Sequence, residues 1–164
     1  MKNILLLLLV LSSWLAWTGC QPPPIYDDIP NISWNSFSKD TIPQFSGFVT
    51  FRVDFTDGDG DIGKSGNSDT TQHLIIIDSR RTPNDTLYYQ IPTIVSQGIV
   101  SGISGTIEVD VSTLCCLDPN NPFILCQDVP ATYEPVTFTV RIKDNAGRWS
   151  NEIQTTPLYL QCFQ

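Results

Sequence analysis

Hydrophobic and polar residues alternate one for one in several short stretches of this chain, and little of it repeats at helical spacing. In "FVTFRVDF", Val49, Phe51, Val53 and Phe55 share one face while Thr50, Arg52 and Asp54 share the other, the pattern of a half-buried strand. "HLIIIDS" is a continuous β-branched run, "TLYYQI" is shorter, and "GTIEVDV" and "VTFTVRI" alternate again. "NEIQTTPLYL" follows the last of these after "KDNAGRW", and a weaker strand surrounds "ISWNSFS". About seven short strands separated by turn signals predict an all-β fold, an immunoglobulin-like antiparallel β-sandwich. Lettered A to G in chain order, the loop after "FVTFRVDF" becomes the B–C connection and "DNAGRW" the F–G hairpin, both at one end. Strand F is expected beside strand B. The long segment between "GTIEVDV" and "VTFTVRI" becomes the E–F connection at the opposite end, where strand G also finishes.

The first residues change the setting of that sandwich. Lys2 precedes the apolar run "ILLLLLVLSSWLAW", then come Thr18, Gly19 and Cys20. This reads as a secretory signal over residues 1–19, too short for a membrane span. Gly19-Cys20 stands where a bacterial lipobox places its cleavage site and its lipid-modified cysteine, although Trp17 replaces the usual leucine. The proline-rich segment 20–31 is then a tether, and 32–164 a single β-sandwich domain. The expectation is a palmitate-bearing lipoprotein of the bacterial envelope, held in the outer membrane by the anchor on Cys20. Nine Lys and Arg face seventeen Asp and Glu, a formal charge of −8 that becomes more negative once Lys2 is removed. Such a chain has no electrostatic footprint for nucleic acid or anionic headgroups, so membrane contact is covalent.

The remaining cysteines, Cys115, Cys116, Cys126 and Cys162, are even in number, and in an exported protein that predicts two disulfides. A bridge between the neighbours Cys115 and Cys116 would be badly strained, so each needs a distant partner. One bridge is expected from Cys126 to Cys115 or Cys116, and the other from the remaining neighbour to Cys162. The sandwich topology places all four cysteines at one end. Zinc fits poorly, because the spacing matches no common zinc pattern and the lone histidine, His73, lies far away. The E–F segment "LCCLDPNNPFILCQDVP" is read as a stapled insertion in preference to a docking tip at Phe123, Ile124 and Leu125.

The candidate chemistry lies in "VDFTDGDGDIG", where Asp57, Asp59 and Asp61 alternate with glycine. Gly58, Gly60 and Gly63 let the backbone take positive φ and coil, so that the three carboxylates converge. Two such charges about 6 Å apart repel by roughly 3 kcal/mol at an effective dielectric of 20. A converged loop therefore calls for a counter-ion, and hard oxygen ligands in number suit Ca²⁺ better than the stricter octahedron of Mg²⁺. Counted from Asp57, the sixth residue is Ile62 and the twelfth Ser68, where an EF-hand needs glycine and glutamate, so the loop is no EF-hand. Missing ligands are expected from the F–G hairpin, first Asp144, then Asn145, with Asp54 a weaker candidate.

Taken together, the signal with its Gly19-Cys20, the strand leading into "DGDGDIG", and "VRIKDNAGRWSNEIQT" near the C-terminus resemble surface lipoproteins of the Bacteroidota type. The resemblance covers the anchor, the acidic loop and the last two strands. It implies one immunoglobulin-like domain on a lipid anchor, a class mostly without assigned activity. The cysteine segment lies outside it.

Three functions compete. An enzyme is disfavoured: the acids crowd one loop where a glycosidase needs two separated carboxylates, no G-x-S-x-G occurs, and His73 reads as structural. A carbohydrate-binding module would need Trp34, Trp149, Tyr88 and Tyr89 as a stacking platform, with Trp149 beside the metal loop. The preferred reading is a calcium-stabilised structural or protein-interaction module without catalysis, its partner a surface protein or glycan.

Overall fold

The computed structural model describes residues 24–45, 47–80, 85–94, 102–112, 114–118 and 133–162, together with the main chain of 121–125. The expectations for the signal, for the anchor Cys20 and for Cys126 lie outside these residues. No helix occurs among the described residues. The first sheet has the order β1 (Asn31–Phe37), β3 (Phe48–Asp57), β6 (Ile103–Ser112). The second runs β11 (Ile153–Gln154), β10 (Phe138–Ile142), β4 (Leu74–Asp78), β5 (Asp85–Tyr89). β2 (Thr41–Pro43), β12 (Leu158–Gln161) and β9 (Tyr133–Val136) form a smaller sheet, with β12 parallel to β2. β7 (Leu117–Asp118) and β8 (Asn121–Leu125) pair as a hairpin within the E–F connection.

This is the expected immunoglobulin-like antiparallel sandwich, with strands A, B and E as β1, β3 and β6 and strands C and D as β4 and β5. Predicted strands F and G are each divided. β9 continues into β10 past Thr137, and β11 into β12 past Thr155, whose main chain and hydroxyl both bond Phe138 (2.9 and 3.0 Å). One expectation is corrected. Strand F does not lie beside strand B; β10 pairs with β4 and β11, and meets β3 across the core.

The alternation in β3 explains the packing. Val49, Phe51, Val53 and Phe55 point inward, and β6 meets β3 in an unbroken antiparallel register from Phe48↔Ser112 to Asp57↔Ile103. From the facing sheet Leu74, Ile76, Phe138, Val140 and Ile142 close the core. Phe51 sits at its centre, edge-on to Phe37 (4.8 Å), Phe138 (5.0 Å) and Trp34 (5.9 Å), the arrangement aromatic quadrupoles favour.

One end of the sandwich is closed by the E–F segment. Cys116 is bonded to Cys162 with a Cα–Cα separation of 5.9 Å, one of the two pairings left open by the sequence. Cys115 is also disulfide-bonded. Beside them Arg80 donates to Asp78 (2.6 Å), Glu134 (3.1 Å) and the Cys115 carbonyl (3.1 Å), so a buried cation at this end is fully engaged.

Candidate metal centre

The acidic loop occupies the other end, and the strand pattern itself delivers its first carboxylate. Continuing the inward set Val49, Phe51, Val53, Phe55 by two residues reaches Asp57, which is 0% exposed. Asp54, three residues earlier, faces outward, where Asn35 and Thr106 donate to it (3.0 and 2.6 Å). Asp54 is therefore no part of the centre, which corrects its weak candidacy.

Beyond Asp57 the chain coils. The Asp61 amide donates back to Asp57 Oδ2 at 2.9 Å, and Ile62, buried in the core, pins the far side of the loop. Gly60 and Gly63 take the positive φ anticipated for them (70° and 91°). Gly58 serves differently. Its φ is unexceptional, but a Cβ there would lie 2.6 Å from the Tyr26 carbonyl oxygen, and its amide donates to the Asp27 carbonyl at 2.7 Å. Glycine at that position lets the N-terminal segment lie against the loop.

The outcome is the predicted convergence. Asp57, Asp59 and Asp61 each present an oxygen, and the three oxygens lie within 4.8 Å of one another. Asp57 Oδ1 and Asp61 Oδ1 are buried without a hydrogen-bond partner. Burial first, then the charge on Asp59, push the Asp57 carboxyl up to about 6. Asp61 is raised by burial and by Asp144 and Asp59. The other metal-like grouping, Cys116, Glu134 and Cys162, offers no thiolates, because its sulfurs are bonded to each other.

The turn between β10 and β11 clamps the loop from the facing sheet. Asn145 N–H donates to the Asp61 carbonyl (3.2 Å) and Ala146 N–H to Asp61 Oδ2 (2.9 Å). The Asn145 side chain donates to the Gly63 carbonyl (2.8 Å), which turns its Oδ1 toward His73 Nε2 at 3.1 Å. Since Oδ1 only accepts, Nε2 carries the hydrogen. Asn145 and the fully buried His73 thus position the loop, and both polar atoms of the Asn145 side chain are engaged in doing so.

Asp144 is buried beside the triad, but Arg148 holds both its oxygens, through main-chain N–H (2.7 Å) and Nε (2.6 Å). The same guanidinium bonds Asp59 through Nη2 and lies 3.8 Å from Asp61. Arg148 holds the Asp59 carboxyl below the usual carboxylate range, and the two carboxylates in turn raise Arg148. Arg148 is the residue at this site that sequence reasoning missed. Its signal was a cation in a hairpin already assigned to face three acids.

The aromatic candidates do not gather. Trp34 packs on Phe37 and Phe51 and donates to Thr156 (3.2 Å). Trp149 carries the Arg141 and Lys143 cations at 4.8 and 5.5 Å from its ring centre. Tyr88 is exposed on β5, while its neighbour Tyr89 packs against the core.

The raised Asp57 carboxyl gives a pH dependence opposite to the usual carboxylate case. An acid with a higher pKa folded than unfolded weakens folding in full above its folded pKa, about 6 for Asp57, and the penalty shrinks as pH falls from there to the unfolded value of 3.8. In chelator, lowering the pH from 7 to 5 is expected to reduce this destabilisation by about 1 kcal/mol, read from urea midpoints, with the gain absent in Asp57→Asn.

Comparison with protein-family models, curated proteins and solved structures finds no match to this chain.

Proposed function

We propose that this chain is an extracytoplasmic lipoprotein, anchored through Cys20 in the bacterial envelope, whose β-sandwich is a calcium-stabilised structural or protein-interaction module without catalytic activity. One observation carries the metal. A fully buried carboxylate, Asp57, keeps one oxygen without a hydrogen-bond partner and belongs to a cluster with Asp59 and Asp61. Buried ionised groups are stable only when paired or ligated. The contacts described for the four carboxylates at this end include a single cation, Arg148, which reaches the outer ones.

The donor set fits a hard divalent cation. Ca²⁺ accepts six to eight oxygens in flexible geometry, and Asp57, Asp59 and Asp61 would hold it, with Asp144 adjacent. Bound there, it would neutralise charge that the loop otherwise confines, and would tie the β3–β4 loop to the β10–β11 turn. The arrangement does not favour turnover: His73 is enclosed and engaged with Asn145, and Asp57, Asp59 and Asp61 converge on one point where a glycosidase sets its two carboxylates across a cleft. The acidic surface argues for protein or neutral glycan partners over nucleic acid.

Isothermal titration of Ca²⁺ into chelator-stripped protein tests this. One saturable site is expected for the native chain and none for Asp57→Asn. Absence of binding at millimolar Ca²⁺ removes the metal from the function.

A further inference from the structure

We infer that Arg148 is a built-in competitor for the cation: its guanidinium fills the mouth of the acidic loop in the metal-free protein and leaves Asp59 and Asp144 when a divalent ion enters. The inference rests on the calcium reading above and adds a regulatory element to the same site.

The geometry sets up the competition. Arg148 Nη2 bonds Asp59 and stands 3.8 Å from Asp61 Oδ1, so two of the three converging carboxylates are already directed at a positive group. Its Nε holds Asp144 Oδ2 at 2.6 Å, which withdraws the fourth acid from the triad. Two cations cannot share those oxygens without strong mutual repulsion at a partly buried site. The arginine does not complete the job, however. Oδ1 of Asp57, the fully buried member of the triad, remains unpartnered. Planar and attached to the turn, the guanidinium serves the outer carboxylates; a small ion can go further in.

The exchange has a route and leaves the scaffold intact. The Arg148 side chain is partly solvent-exposed, so the guanidinium can swing into water. Its main-chain N–H still donates to Asp144 Oδ1 at 2.7 Å, and the Asn145 and Ala146 amides still hold Asp61. The turn therefore stays closed on the loop when the side chain departs. Because the metal-competent arrangement is only a fraction of the metal-free population, the apparent affinity is reduced by that fraction. Such a site is set to respond to the high calcium of an extracellular medium and to ignore traces.

Ca²⁺ titration of native protein and Arg148→Gln, alongside NMR of the Arg148 Nε–H resonance in the native chain, tests the exchange. Arg148→Gln is expected to bind Ca²⁺ at least tenfold more tightly. In native protein the Nε–H resonance, protected by Asp144 in chelator, is expected to lose that protection on saturation with Ca²⁺. Equal or weaker binding by Arg148→Gln, or an Nε–H signal unmoved by saturating Ca²⁺, overturns the exchange while leaving the calcium site standing. Absence of binding to either protein overturns both. The resonance is read in unmodified protein, so the test does not depend on the variant folding.

Discussion

Calcium at a hundredfold excess over its dissociation constant is expected to stabilise the domain by about 2.7 kcal/mol, the gain for an ion that binds the folded loop, as proposed, and not the unfolded chain. For a domain of this size that corresponds to a rise of roughly 10 °C in Tm. Differential scanning fluorimetry in chelator and in Ca²⁺ measures it directly. Asp57→Asn is the informative variant. The amide oxygen can still accept from Asp61 N–H, so the coil keeps its internal bond. The response to Ca²⁺ should vanish, yet in chelator the variant should match or exceed native stability, because it no longer confines an ionised carboxylate in the core. A native protein indifferent to Ca²⁺, or an Asp57→Asn variant that melts well below native in chelator, would show that Asp57 is kept for folding and not for a ligand.

The second large effect lies at the opposite end. Cys116 and Cys162 are 46 residues apart, and a cross-link closing a loop of that length restricts the unfolded chain by about 4 kcal/mol in the chain-entropy account. Replacing both with serine is expected to lower the unfolding free energy, measured by urea denaturation, by that amount with little change in calcium affinity, because the acidic loop is held by other elements. A loss below about 1 kcal/mol would instead assign the strength of this end to Arg80 and its partners. A changed calcium affinity would mean that the two ends are coupled through the sheets.

Much of this was legible in the sequence, and the reasons are physical. Period-2 alternation in "FVTFRVDF" reports which residues face the core, and it located β3 together with its inward set. Carried two residues further, the same parity marks Asp57 as buried against the outward Asp54, and so ranks the acids by depth. Cysteine count and chain order brought the disulfides to one end but could not separate Cys115 from Cys116. Adjacent residues on extended backbone point to opposite sides, and only the course of the chain decides which one meets Cys162. The division of strands F and G left little trace, because Thr137 and Thr155 are good strand formers whose role depends on bonds across the sheet. Arg148 was hidden for a similar reason. A side chain that reaches over a turn to acids 85 to 90 positions earlier has no signature in local spacing.

The chain enters the domain at the acidic-loop end. Tyr26 and Asp27 lie on Gly58, and the Tyr26 hydroxyl donates to Ser104 at 3.2 Å, which fixes the N-terminal segment to the body there. Five residues separate Tyr26 from Cys20, and the six steps between them reach at most about 20 Å when fully extended. Held by Cys20 as proposed, the molecule would stand with its metal loop close above the lipid floor. Its cysteine-bonded cap would then rise roughly a strand length higher, about 30 Å, and form the part that another surface component meets first.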